Sequence, residues 1–212
     1  MLNNFSPNAL KTYKTCPKKF YFKYVENVNI PRSALPFEKG KKIHALANYY
    51  LQGLNTDNFE QALTSEELQI WQNLKSNEFY QKDCLKSEFP LMCKVEKYWV
   101  GGRLDAIVYD KNNYYILDYK TGSIPENPEY DFQTMIYLLC LDKYLKEYNS
   151  LSFVYIDLKN NRNHIIEFSA DKRKLYEEKI VEICEKITKG KIYKCNTNSC
   201  KFCEYSKICL IE

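Results

Sequence analysis

Up to residue 83 the apolar positions recur at three- and four-residue intervals; from Cys84 they shift towards every second position, and further on the two periods alternate. The first element starts at Ser6-Pro7, an N-cap followed by proline at the first helical position. It carries Leu10 and Tyr13 until Thr15-Cys16-Pro17 interrupts it. An aromatic-rich run over 18–25 resumes the helix, which places Cys16 at a helix junction. After a loop over 31–36, residues 37–52 read as a helix with His44 near its middle. Residues 57–63 read as a loop or short helix, and 65–77 as an amphipathic helix through Leu68, Trp71 and Leu74. Strands are predicted over 85–93, 94–100, 102–109, 114–120, 151–158 and 162–168. A helix capped at Asn127-Pro128 is expected to run to about Tyr148. A last one, capped by Ser169, runs to Lys189 and stops at Gly190. Strands and helices in alternation make this an α/β chain, with a central mixed sheet flanked by helices.

The strands over 102–109 and 114–120 are joined by the polar residues Asp110-Lys111-Asn112-Asn113, which predicts a β-hairpin centred between Lys111 and Asn112. That centre sets Tyr109 opposite Tyr114, Asp105 opposite Asp118 and Arg103 opposite Lys120. Directly opposed Cβ atoms lie about 5 Å apart, so the two carboxylates would repel by roughly 3 kcal/mol at an effective dielectric of about 20. A divalent cation would hold that charge. Two carboxylates with water and phosphate completing the shell suit magnesium or manganese better than zinc. Lys120, on the face of Asp118, could orient an attacking water and offset transition-state charge, which makes the hairpin a candidate phosphodiester hydrolysis site. The same residues also suit a structural cluster in which Arg103 and Lys120 pair with the aspartates, and the hairpin alone does not decide between the two. Glu88 is a candidate supporting carboxylate. On the helix that follows the hairpin, Gln133 and Tyr137 are four apart and share a face.

Composition narrows the class. The 212 residues are 45% hydrophobic and 27% charged, and no apolar run reaches the length of a membrane span. One domain over residues 1–212 is expected. The first residues lack the layout of a secretory signal, so a cytoplasmic protein is expected. The net charge of +4 is small, but it is unevenly placed. Lys11, Lys14, Lys18, Lys19, Lys23, Arg32, Lys39, Lys41 and Lys42 face only Glu26 and Glu38 within the first 50 residues, and residues 186–207 are lysine-rich too. Two basic ends are what a nucleic-acid partner would require. Tyr21, Phe22 and Tyr24 lie among those lysines and could stack bases or enter the core.

Nine cysteines in a cytoplasmic chain argue against disulfides. Cys200, Cys203 and Cys209 are spaced C-x2-C-x5-C in a terminal segment with little apolar material, which is a metal-ligand pattern. Thiolate ligation allows zinc or an iron–sulfur cluster, and the fourth ligand is either Cys16 or Cys195.

In this order the motifs resemble the PD-(D/E)xK nucleases of the RecB type. Within them they resemble the iron–sulfur branch that contains the CRISPR-associated Cas-four exonucleases and the AddB nuclease domain. The matching pieces are Cys16-Pro17 with its aromatics, Gly40-Lys-Lys-Ile-His44, Gly102-Arg-Leu-Asp105, Asp118-Tyr-Lys120-Thr-Gly, Gln133-Thr-Met-Ile-Tyr137 and the C-terminal cysteines. The resemblance implies a restriction-endonuclease-like fold with a catalytic core over about 37–168. It implies catalytic magnesium or manganese held by His44, Asp105, Asp118 and the carbonyl of Tyr119. Lys120 would act on the water, with Gln133 and Tyr137 supporting the site or the DNA strand. A [4Fe-4S] cluster on Cys16, Cys200, Cys203 and Cys209 would clasp residues 1–25 to 195–212, with zinc as the alternative. Cleavage of DNA at single strands or ends follows, alongside CRISPR adaptation proteins or a helicase subunit, since the chain has no phosphate-binding G-x4-G-K-[ST] loop of its own. The rival expectation is a DNA-end-binding or assembly subunit whose nuclease site idles.

Overall fold

The structure, a computed structural model, describes residues 3–30, 35–190 and 193–209. Most of the loop expected over 31–36 therefore lies outside the described residues. Six strands form one mixed sheet: β1 (Asn4–Phe5), β2 (Asp83–Val95), β3 (Tyr98–Asp110), β4 (Asn113–Lys120), β5 (Ser150–Asp157) and β6 (Arg162–Glu167). β2 runs antiparallel along one edge of β3 for almost its whole length. The other edge is shared. β4 pairs antiparallel with residues 106–110, and β1 pairs parallel with Trp99 and Val100. Among the described residues, no strand pairs with 101–105 on that side. β5 lies parallel to β4, and β6 returns antiparallel to β5.

Helices cover both faces. α1 (Pro7–Thr15), α2 (Pro17–Phe20) with a wide turn over Tyr21–Val25, α6 (Phe132–Tyr144) and α7 (Ala170–Lys189) pack on one side. α3 (Leu35–Leu51) and α5 (Ser65–Lys75) pack on the other, with α4 (Asp57–Gln61) between them in sequence and α8 (Ser206–Cys209) near the end of the chain. Each side has its own core. Leu10, Phe20, Leu104, Ile136 and Ile180 belong to the first; Ile43, Trp71, Leu74, Ala106 and Val154 belong to the second. α6 is buried from Phe132 to Leu141 apart from Gln133, as befits a helix between a sheet and two other helices. None of the described helices is long and apolar enough to cross a membrane.

The hairpin is centred where the residue types placed it. Tyr109 pairs with Tyr114 and Asp110 with Asn113, and Lys111 and Asn112 both adopt positive φ (47° and 67°), the tight two-residue turn that suits the twist of antiparallel strands. Three boundaries differ from expectation. The break expected near Val100 falls at Glu96 (φ 48°), and one strand runs through Gly101-Gly102. β2 passes so near that a Cβ on Gly101 would lie 2.2 Å from the Leu91 carbonyl oxygen, so only glycine keeps the pair together there. The helix expected from Asn127-Pro128 is a single short turn over Pro128–Tyr130. The cap belongs to Asp131, whose carboxylate accepts from the Gln133 amide at 2.9 Å, and α6 ends at Tyr144 rather than Tyr148.

Candidate active site

The unpaired stretch of β3 is where the site forms. The β3–β4 ladder follows the predicted register as far as Ala106 opposite Leu117, then the strands part, and Asp105 and Asp118 do not continue it. Instead the Tyr119 amide donates to Asp105 Oδ2 at 3.0 Å, and the Tyr137 hydroxyl donates to the free Arg103 carbonyl at 2.9 Å. Gly102 permits that approach, because a Cβ there would lie 2.7 Å from the Tyr137 oxygen. The facing of β3 also slips here. Val100 and Leu104 point to the α6 side, whereas Ala106 and Val108 point to the α3 side. Asp105 sits at the slip and is open to groups from both layers.

From the α3 side comes His44. Its Nδ1 is 3.2 Å from Asp105 Oδ1 and its Nε2 is 2.9 Å from the Tyr119 carbonyl oxygen. α3 can come this close because Gly40, one turn before His44, leaves a Cβ position only 3.2 Å from Thr121 Oγ1. Burial alone would lower the His44 pKa. Hydrogen bonding and charge from Asp105, then Asp118 and the Tyr119 carbonyl, outweigh it and lift the pKa to about 9. Both ring nitrogens thus face oxygen, and the protonated ring is the positive partner of Asp105 in the metal-free fold. From β2 comes Glu88, in the left-handed region at φ 46°. It lies between the pairs Ser87–Ala106 and Phe89–Leu104, and so comes level with Asp105. One donor atom each from His44, Glu88 and Asp105 lie within 4.8 Å of one another.

On the α6 side Asp118 is 4% exposed. Its Oδ2 is 2.7 Å from the Lys120 ammonium, and its Oδ1 accepts from the Gln133 side-chain amide. Lys120 also donates to Gln133 Oε1 at 3.4 Å. Burial, and then the charge of Asp105, push the Asp118 pKa up to about 6 against the pull of Lys120. Among the sequence-predicted site residues, His44, Asp105 and the Tyr119 carbonyl meet at one point. Asp118, Lys120 and Gln133 form the adjoining cluster, and Tyr137 braces the strand between them. Arg103 does not face Lys120. Its guanidinium is 69% exposed and lies 3.6 Å from Glu88, because the strands have already separated at that level. Glu88, expected only as a supporting carboxylate, stands among the donors themselves. Its acidity and its place on β2 were legible; its left-handed backbone was not.

A donor set of imidazole nitrogen, carboxylates and a carbonyl is hard and oxygen-rich, which fits magnesium or manganese. One His44 nitrogen can serve as a ligand only by giving up its present hydrogen bond, to Asp105 through Nδ1 or to the Tyr119 carbonyl through Nε2.

The ends of the chain meet elsewhere. Cys16, Cys195, Cys200, Cys203 and Cys209 line one small cavity. Cys195 Sγ lies 3.6 Å from that of Cys200 and 3.7 Å from that of Cys209. Cys16, at the junction of α1 and α2, accepts backbone N–H bonds from Lys19 (3.5 Å) and Asn196 (3.3 Å), the kind of donor that steadies a thiolate. Burial, then the Cys195, Cys16 and Cys200 thiols, raise the Cys209 pKa to about 11. Phe22 packs on Tyr205 and Tyr21 on Tyr193, so those rings join the two ends, while Tyr24 packs on Phe20 within the first segment.

No curated protein matches the chain. A candidate exonuclease from Eubacterium rectale, 13% identical, superposes with a TM-score of 0.58 over 96% of this chain and 88% of its own, which shows a shared fold. The structure of SSO0001, 17% identical, gives 0.46 over 98% and 85%. The family model of the PD-(D/E)XK nuclease superfamily matches residues 4–210, and the chain belongs to that superfamily.

Proposed function

We propose that the protein is a metal-dependent deoxyribonuclease, acting on single strands or ends as an exonuclease of the Cas-four and RecB type. One observation carries the reading: His44, Glu88 and Asp105 place donors within 4.8 Å of one another beside the Lys120–Asp118 pair. His44, Asp105, Asp118, Glu88 and the Tyr119 carbonyl would hold the ion, which when bound supplies Lewis acidity to the phosphate and a more acidic water. Lys120, 2.7 Å from Asp118, would orient the water and offer positive charge to the non-bridging oxygens. Gln133 keeps Lys120 and Asp118 in mutual reach. Tyr137 holds the Arg103 carbonyl, and with it the backbone that aims Asp105.

The five gathered cysteines support the iron–sulfur branch, with Cys16, Cys200, Cys203 and Cys209 as [4Fe-4S] ligands and zinc as the alternative. Single-strand cleavage suits a cytoplasmic protein that works with a helicase subunit or with CRISPR adaptation proteins. The test is release of nucleotides from labelled single-stranded DNA with manganese, comparing wild type with Asp105→Ala and Lys120→Ala. Loss of activity in both variants is expected. Equal activity in all three would overturn the proposal.

A further inference from the structure

The metal donors open into a cleft of about 760 Å³ on the α3 side, lined by His44, Glu88 and Arg103. Lys120 and Gln133 border a second cleft, of about 920 Å³, that reaches across to α1 and α7 and is lined by none of those donors. Its charged rim is Lys11, Lys14, Lys120 and Lys179 against Glu126 and Asp131. Asp131 is already engaged, by the Lys11 ammonium at 3.0 Å and by the Gln133 amide it caps. Lys14 and Lys179 lean on aromatic rings, 5.8 Å from the centre of Phe132 and 5.3 Å from that of Tyr130. Tyr130 is 44% exposed on the short turn ahead of α6.

A polar cleft with a surplus of ammonium groups suits a polyanion. An exposed ring beside one of those cations suits an unstacked base whose phosphate the cation can meet. We infer that this second cleft binds the single-stranded DNA flanking the cleaved phosphodiester, with Lys14 and Lys179 on its phosphates and Tyr130 stacking a base. The inference rests on the nuclease reading for the identity of the strand. Duplex DNA is disfavoured, because its bases are already stacked and cannot lie on the ring.

Binding and cleavage test it separately. Fluorescence anisotropy in EDTA measures affinity for oligothymidylate of about 12 nucleotides, an abasic strand of equal length, and duplex, across a salt series. The Lys14→Gln/Lys179→Gln double variant should flatten the slope of log affinity against log salt by about 1.4, about 0.7 for each lost phosphate contact. A control pair that does not line the cleft, Lys94→Gln/Lys146→Gln, should not. Tyr130→Ala should weaken oligothymidylate binding by about fivefold or more while sparing the abasic strand, and Tyr130→Phe should restore it. With manganese, the double variant should raise KM and leave kcat unchanged. Equal slopes for the two lysine pairs, or equal loss on thymidylate and abasic strands, would overturn the inference even where wild type cleaves DNA. Wild type that binds as described but fails to cleave would overturn the nuclease reading and leave the cleft standing.

Discussion

Asp118→Asn should make the metal-free protein more stable while abolishing its nuclease activity. The Asp118 carboxyl is 4% exposed and shares its surroundings with Asp105, so its pKa rises from the ordinary 3.8 to about 6 despite the Lys120 ammonium. The folded chain therefore holds a proton that the unfolded chain releases, and this residue lowers stability as pH rises from about 4 to about 6. Integrating between those two pKa values gives a deficit of about 1.5 kcal/mol at pH 5 and about 3 kcal/mol at pH 8. Asparagine keeps the shape and never ionises; its one oxygen accepts from Lys120, and its amide donates to Gln133 once that side chain turns its oxygen round. In EDTA the variant should melt about 6–12 °C above wild type at pH 8, and by roughly half that margin at pH 5. Adding manganese should then stabilise wild type more than the variant, because the ion binds the folded state through the carboxylate that asparagine lacks. Thermal melts at both pH values, with and without manganese, check all three statements. A variant no more stable than wild type at pH 8 without metal, or a margin that does not grow with pH, would refute the account of Asp118 as a strained buried anion.

Three further outcomes are expected. Glu60 accepts from the Trp71 indole (2.7 Å), the Lys75 ammonium (3.0 Å) and the Thr56 hydroxyl (3.0 Å); burial opposes its ionisation, but these partners hold its pKa below the usual carboxylate value. That stability is present above pH 4.5 and fades as pH falls through the folded pKa, so Glu60→Gln should cost about 1–2 kcal/mol in urea unfolding at pH 7, with the gap closing in acid. Gly101→Ala drives a methyl into the Leu91 carbonyl and should cost about 3 kcal/mol or more by the same measurement. On anaerobic purification the wild type should absorb near the ~400 nm of iron–sulfur chromophores; Cys16→Ser should lose that band and Cys195→Ser should keep it, whereas metal analysis finding zinc and no colour would select the zinc alternative.

What the residue pattern revealed, and what it hid, divides along the range of the forces involved. The hairpin register was legible because it depends on a two-residue turn and on strands of tyrosine, valine and isoleucine, all local. Cys16 was legible as a junction because proline follows it. The cap of α6 was misplaced because Asn127 and Asp131 are both good N-caps, and their choice depends on Lys11 reaching Asp131 from α1, far away in sequence. The uninterrupted course of β3 through Gly101-Gly102 was hidden for a similar reason. Paired glycines ordinarily signal a break, and here they admit the β2 backbone on one side and the Tyr137 ring on the other.

The site itself arises from a conflict that no local pattern records. A regular ladder would hold Asp105 against Asp118 and bury both on one face, where the charge could not be supported without a permanent counter-ion. The chain resolves this by ending the ladder one pair earlier and letting the facing of β3 slip. Asp105 then leans towards His44 and Glu88, while Asp118 stays under α6 with Lys120 and Gln133. The two carboxylates remain near enough for the charge of Asp105 to raise the Asp118 pKa, yet each has its own cationic partner, His44 for Asp105 and Lys120 for Asp118. The left-handed Glu88 backbone belongs to the same arrangement, since β2 has to follow β3 through the slip. A residue held at φ 46° there stores roughly 1–3 kcal/mol, which the flanking pairs at Ser87 and Phe89 must sustain. Glycine at this position should accordingly relieve strain and stabilise the metal-free fold, while removing one of the three donors that make the cleft a metal site.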